Sequence, residues 1–165
     1  MRTRSPLYSV FAVVLFAIVT LSACSKTPEQ ISGSDLLAIL DEGSYSLVVY
    51  NNDSVSTYSA RGVQDLLYLT AEEPERLHGA VVADKMIGKA AAALMVIGGV
   101  KEVNTHLICT PARELLESAG ICLDAEEEIP MIMNRNKTGQ CPIDSQLNDA
   151  QTAEECVDIL RNLTF

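Results

Sequence analysis

Two lysines and one short loop hold most of the residues able to do chemistry in this sequence. Lys85 and Lys89 stand four apart in a stretch that is otherwise uncharged from Met86 to Val100. Read as a helix from Asp84 to Gly99, that stretch puts both ammonium groups on one face near its start, where free backbone N–H groups already favour an anion. The alternative is that the lysines reach solvent along their stems or pair with Asp84, Asp144 or another acid. The loop runs from Asn134 to Asp144 and carries Arg135, Lys137 and Cys141. Cys141 is a candidate nucleophile where a nearby cation lowers its pKa, and otherwise a structural thiol. Gly88-Lys89 is not a phosphate loop, because Ala83 stands where a Gly is needed and Ala90 replaces the Ser or Thr. His78 and His106, the two histidines, show no partner pattern.

Those residues need a scaffold, and the hydrophobic pattern supplies one. Ser34 reads as the N-cap of a short helix through Leu36, Leu37 and Leu40, stopped at Gly43. Ser46–Tyr50 and Val55–Tyr58 alternate like strands around Asn51, Asn52 and Asp53, a hairpin signature. An amphipathic helix through Val63, Leu66, Leu67 and Leu69 breaks at Pro74. The Asp84–Gly99 segment, apolar on nearly every side and too short to cross a membrane, predicts a helix buried between layers, with Gly98 and Gly99 as its stop. Val103–Cys109 reads as a strand, Thr110-Pro111 as a helix start ending at Gly120, and Ile129–Met133 as another strand. Thr152 and Glu155 predict a capping box for the last helix, which lines up Cys156, Ile159, Leu160 and Leu163. The order implies an α/β fold of three layers, a mixed central sheet with helices on both faces.

The beginning of the chain reads as an export signal. Arg2 and Arg4 precede an apolar run from Leu7 to Leu21, and Leu21-Ser22-Ala23-Cys24 matches a bacterial lipobox. The organisation expected is a signal peptide over 1–23, a lipidated tether over 24–33 and one domain over 34–165. This puts the protein in the bacterial cell envelope, outside the cytoplasm, with lipid on Cys24 as its membrane contact. The formal charge of −10 becomes −12 once the two cations Arg2 and Arg4 leave with a segment that holds no acid. So acidic a chain is not expected to bind a nucleic-acid polymer, nor a lipid surface through basic side chains. Cys109, Cys122, Cys141 and Cys156 permit disulfides in an exported protein, in any of three pairings, and equally fit free buried thiols. Their spacing matches no zinc motif, and no metal or cofactor is expected.

Asp84-Lys85, Gly88-Lys89-Ala90-Ala91, Asn134-Arg135, Thr138-Gly139 and Cys141-Pro142 follow one another in an order that resembles a bacterial family of unknown function with a cytidine-deaminase-like fold. Arg61-Gly62-Val63 and Gly99-Val100-Lys101-Glu102-Val103 are similar to it as well, so the resemblance spans roughly Ser34 to Asp144. The family pattern closes on Cys-Pro-x-Glu; Asp144 stands at that last place, keeping the carboxylate on a shorter arm. Zinc deaminases need a His or Cys two residues before a Glu on the buried helix, then Pro-Cys-x-x-Cys on the next. This chain has Lys89-Ala90-Ala91 and Thr110-Pro111-Ala112 there, so zinc-dependent deamination is not expected.

These readings leave a non-catalytic binding module for a small anionic or nucleotide-like ligand as the favoured function. Its candidate contacts are Lys85, Lys89, Asn134, Arg135, Cys141 and Asp144. A zinc-independent enzyme using Cys141 or the two lysines, and a structural envelope lipoprotein, are the alternatives. The lipobox carries its own test, metabolic labelling with palmitate in a bacterial host. The wild-type chain should take up label and Cys24→Ser should take up none; label retained on Cys24→Ser would refute the anchor.

Overall fold

The computed structural model describes residues 31–163, which form one compact unit beginning at Ile31. The export segment and Cys24 lie outside the described residues. Within the unit, α1 (Gly33–Glu42) leads into a hairpin of β1 (Leu47–Asn51) and β2 (Ser54–Tyr58). Then come α2 (Gln64–Glu72), β3 (Val81–Ile87), α3 (Lys89–Gly98), β4 (Glu102–Cys109), α4 (Thr110–Ser118) and β5 (Cys122–Ile129). A four-residue α5 (Pro142–Ser145) and α6 (Ala153–Arg161) close the domain. The hairpin turns on Asn52 and Asp53, both at positive φ, a pairing whose twist suits two adjacent strands.

The sheet runs β2-β1-β3-β4-β5, antiparallel across the first three strands and parallel across the last three. It is therefore mixed, as the order of elements implies. Alternation along β1 sends Leu47 and Val49 into the larger core and Val48 to the other side, where it meets Ala83 and the Leu36 and Leu40 of α1. Helix α1 covers that face, and α2, α3 and α4 cover the opposite one, with α6 packed on α3. Ala90 to Met95 are all buried, so a helix without a polar side sits between sheet and α6. Gly99 ends it in the left-handed region at φ 70°, where a side chain would be strained.

Four local expectations need correcting. The buried helix begins at Lys89, not Asp84, because Val81–Ile87, with β-branched residues Val81, Val82 and Ile87, pairs as a strand between β1 and β4. Lys85 and Lys89 consequently do not share a helical face. The last strand is Cys122–Ile129 rather than Ile129–Met133: a short turn after α4 returns the chain directly beside β4, and Met133 makes only an isolated bridge to Gln140. Its exposed Asp124, Glu126 and Glu128 hide the apolar alternation, as charges on an edge strand do. The first cap is Ser32, whose hydroxyl accepts from the Asp35 N–H while Asp35 returns the bond to the Ser32 N–H. At α6, Thr152 accepts from the Glu155 N–H as expected, but the Glu155 carboxylate reaches one residue further back, to the Gln151 N–H.

His106 clasps the α1 face. Its Nε2 lies 3.0 Å from an Asp41 carboxylate oxygen on α1, and its Nδ1 lies 2.8 Å from Glu126 on β5. Both ring nitrogens meeting acceptors requires the imidazolium, and the hydrogen bonds to Glu126 and Asp41 raise the histidine above its ordinary value of 6.5. The stabilisation is therefore complete below that ordinary value and is lost as pH rises through the raised one. Denaturant unfolding of His106→Gln at pH 6 should show a loss below about 1 kcal/mol, since both carboxylates are solvated. The difference should vanish in alkaline buffer; a loss independent of pH would mean that packing, not charge, holds the ring.

Candidate functional site

The loop after β5 and the start of α3 are joined by one buried carboxylate. Asp144 accepts hydrogen bonds from the Lys89 N–H at 3.2 Å and the Ala90 N–H at 3.1 Å, so α5 caps the first turn of α3 from a distant part of the chain. Burial pushes its carboxyl above the ordinary aspartate value, against the pull of those two N–H groups and the Lys89 charge. Gly88 makes the approach possible, since a Cβ there would stand 2.3 Å from an Asp144 carboxylate oxygen. Its backbone is extended, so contact rather than conformation demands glycine. The Lys89 ammonium turns away and donates to the carbonyls of Leu147 and Ala150, each at 2.7 Å. It pins the segment that follows α5 and makes no ion pair among the described residues.

Two adjoining clefts open beside this junction. The inner one, of about 260 Å³, has Val63, Ala90, Ala91, Ile132 and Ile143 as apolar walls. Asp84, Lys85, Cys141 and Asp144 line it too. The outer one, of about 520 Å³, is lined by Arg61, Gln64, Met133, Asn134 and Arg135, and it shares Gly62, Cys141 and Ile143 with the first. The tertiary structure thus gathers Lys85, Cys141 and Asp144 in one cleft and Asn134, Arg135 and Cys141 in the next, while Lys89 lines neither. Asn134 is engaged by its own loop: its side-chain oxygen accepts from the Thr138 N–H at 3.0 Å and its amide donates to the Thr138 hydroxyl at 3.0 Å. Cys141 is part-exposed between the clefts, held by its N–H on the Ile132 carbonyl at 2.7 Å.

Asp84 and Arg61 line the clefts but are not among the candidate contacts read from the sequence, although both stand in motifs that carry the family resemblance. Asp84 lies near the end of β3, where a carboxylate interrupts an apolar run. That interruption, with its place in the Asp84-Lys85 motif, is the signal the sequence offers. Part of the side chain opens on the inner cleft, while sheet and helix atoms crowd it elsewhere. The desolvation pushes its carboxyl up to about 7, helped by the Asp65 charge and opposed by the Met86 N–H, which donates to Oδ1 at 2.9 Å. Arg61 sits one residue before Gly62, in the turn into α2.

Charge is unevenly placed around the clefts. Arg76, Arg113 and Arg161 pair with carboxylates on their own or neighbouring elements. Among the described residues, Arg61, Lys85 and Arg135 make no ion pair, and all three line the clefts. Three cations without an ion pair thus line one pair of clefts, with Asp84 and Asp144 on the inner wall, on a chain of net charge −10.

The profile of a protein family, TM1506, described as a domain of unknown function (DUF1893), matches residues 35–164. The chain belongs to this family. A solved structure of a DUF1893 family protein, TM1506 from Thermotoga maritima, is 26% identical and superposes with a TM-score of 0.70, covering 76% of this chain and 84% of that one. Comparison with curated proteins finds no match. The family description names no activity, so the chemistry must be read from the site itself.

The zinc arrangement of deaminases does not fit these residues. At the starts of α3 and α4 the candidate donors are Asp144, already bonded to two N–H groups, and Cys109, a buried thiol pushed up by desolvation. Among the described residues no three His, Cys, Asp or Glu side chains converge on one point. The four thiols Cys109, Cys122, Cys141 and Cys156 are free.

The cap at α3 can be probed through Gly88. Gly88→Ala should destabilise the domain by about 1–3 kcal/mol through overpacking, and Asp144→Ala by a similar amount through two orphaned N–H groups. Combined, they should cost less than their sum, because the shorter residue 144 makes room for the new methyl. Additive losses in a denaturant double-mutant cycle would mean that Gly88 and Asp144 do not meet.

Proposed function

We propose that this TM1506-family domain is a binding module for a small anionic, nucleotide-like ligand, held at the bacterial envelope by lipid on Cys24. The lipobox Leu21-Ser22-Ala23-Cys24 and the cations before the apolar run support the anchor. The concentration of unpaired Arg61, Lys85 and Arg135 around two clefts, on an otherwise acidic chain, is the observation that carries the binding reading. Cations so placed raise the local concentration of an anion and then bind it directly. The guanidinium groups offer forked donors suited to phosphate or carboxylate, and Lys85 acts as a point charge. Apolar walls behind them suit the uncharged part of such a ligand. The resemblance to deaminase-like domains supports the nucleotide-like character, while the donor set makes zinc chemistry a poor fit. Asp144 already occupies the first N–H groups of α3, so the anion is held by side chains rather than by that helix terminus.

Linkage makes the reading testable without knowledge of the natural ligand. At a hundred times its dissociation constant, a ligand stabilises the folded state by about 2.7 kcal/mol. Thermal unfolding of the purified protein should shift upward with at least one member of a panel of nucleotides and sugar phosphates. Arg61→Ala and Arg135→Ala should each diminish that shift, most strongly at low salt. No shift across the panel, or an undiminished shift in both variants, would return these cations to the ordinary protein surface.

A further inference from the structure

The cations account for binding an anion but not for choosing among anions, and the inner cleft holds a group able to choose. Asp84 Oδ1 is engaged by the Met86 N–H at 2.9 Å. Its Oδ2 has no hydrogen-bond partner among the described residues, and no buried side-chain oxygen in the described domain is without one. That oxygen is therefore open to the cleft. Around it stand Val63, Ala90, Ala91 and Ile132, walls that fit the faces of a flat ring and offer it no side-chain hydrogen bond. The outer cleft, sharing Gly62 and Cys141, places Arg61 and Arg135 next to the inner one. We infer that the inner cleft takes the ring of a ring-plus-anion ligand, and that Asp84 Oδ2 selects rings bearing an exocyclic N–H donor while the outer cations hold the anion. This rests on the anion-binding reading above and adds to it a substrate class, amino-substituted heterocycles carrying phosphate, and a specificity-determining residue.

The selection has a defined pH behaviour. Above about 7 the carboxylate only accepts hydrogen bonds, and below it the acid can donate instead. Asp65 on α2, Lys85 on the same strand, Cys141, and Asp144 on α5 also border or face this region. A variant at residue 84 is therefore needed to separate their titration from that of Asp84. Asp84→Asn keeps an oxygen for the Met86 N–H and puts an amide donor where Oδ2 stood, so the fold is retained and the preference is removed.

The experiment is calorimetric titration of the full chain in detergent. The probes are adenosine and cytidine 5′-monophosphates, each beside its analogue lacking the exocyclic amino group, with ribose 5-phosphate as the anion alone. At pH 8.5 one amino nucleotide should bind the wild type at least about tenfold more tightly than its analogue, the effect of one hydrogen bond to a charged acceptor. That ratio should fall below about threefold at pH 5.5, and at both pH values in Asp84→Asn. Arg135→Ala should weaken every ligand and keep the ratio. Equal binding of both amino nucleotides and their analogues to the wild type, or a ratio unchanged in Asp84→Asn, overturns the inference. Ribose 5-phosphate binding without discrimination between rings would overturn this inference alone. Failure of every probe to bind would overturn the anion-binding reading with it. Asp84→Ser, which also removes the carboxylate, serves in the same comparison if Asp84→Asn does not fold, and a ratio unchanged in it likewise overturns the inference.

Discussion

The Asp144 carboxylate on the first turn of α3 is the contact on which the rest of the site depends. It joins residues more than fifty positions apart and leaves water to do so, which raises the value at which it ionises. Two backbone N–H groups offset that desolvation, and Gly88 removes the one atom that would keep the carboxylate away. Lys89 then ties down the chain beyond α5 through two carbonyls. With both ends of this junction held, the loop from Asn134 onward has a fixed base, and Cys141 and Ile143 are set between the two clefts.

That junction also alters what the helix terminus can do. Free N–H groups at the start of a helix invite an anion from solution, but here the chain supplies its own. Three cations that are not part of the junction line the clefts. Arg61 comes from the turn before α2, Lys85 from β3, and Arg135 from the loop after β5, three segments with no sequence proximity. They stand around one pair of clefts, with the carboxylates of Asp84 and Asp144 on the inner wall. Asp84 sits behind them in the narrower cleft, raised to about 7 by the same crowding that shapes the walls.

Periodicity made the architecture legible to a large extent. The hairpin at Asn52-Asp53, the break at Pro74, the helix starting at Thr110-Pro111 and the Thr152 cap all rest on local chemistry, which a short window contains in full. The errors arise where local chemistry is ambiguous. Asp84 to Ile87 can extend a helix or a strand, and only pairing with Leu107 and Ile108 on β4 makes it a strand. Cys122 to Ile129 has carboxylates at alternate positions, and its place at the sheet edge, where they meet water, makes that pattern acceptable.

By itself the sequence determined the α/β class, the order of most elements, the lack of a zinc-deaminase ligand pattern and the acidity of the chain. Each follows from residue types, or from spacings within one element. Only the tertiary structure decided that Asp144 caps α3, that the Lys89 ammonium donates to the Leu147 and Ala150 carbonyls, and that Arg61, Lys85 and Arg135 line one pair of clefts. The physical reason is that a residue's partner is set by the three-dimensional packing of layers. Burial, which decides whether Asp84 is an ordinary carboxylate or one poised near neutrality, depends on atoms contributed by strands and helices far from it in the chain.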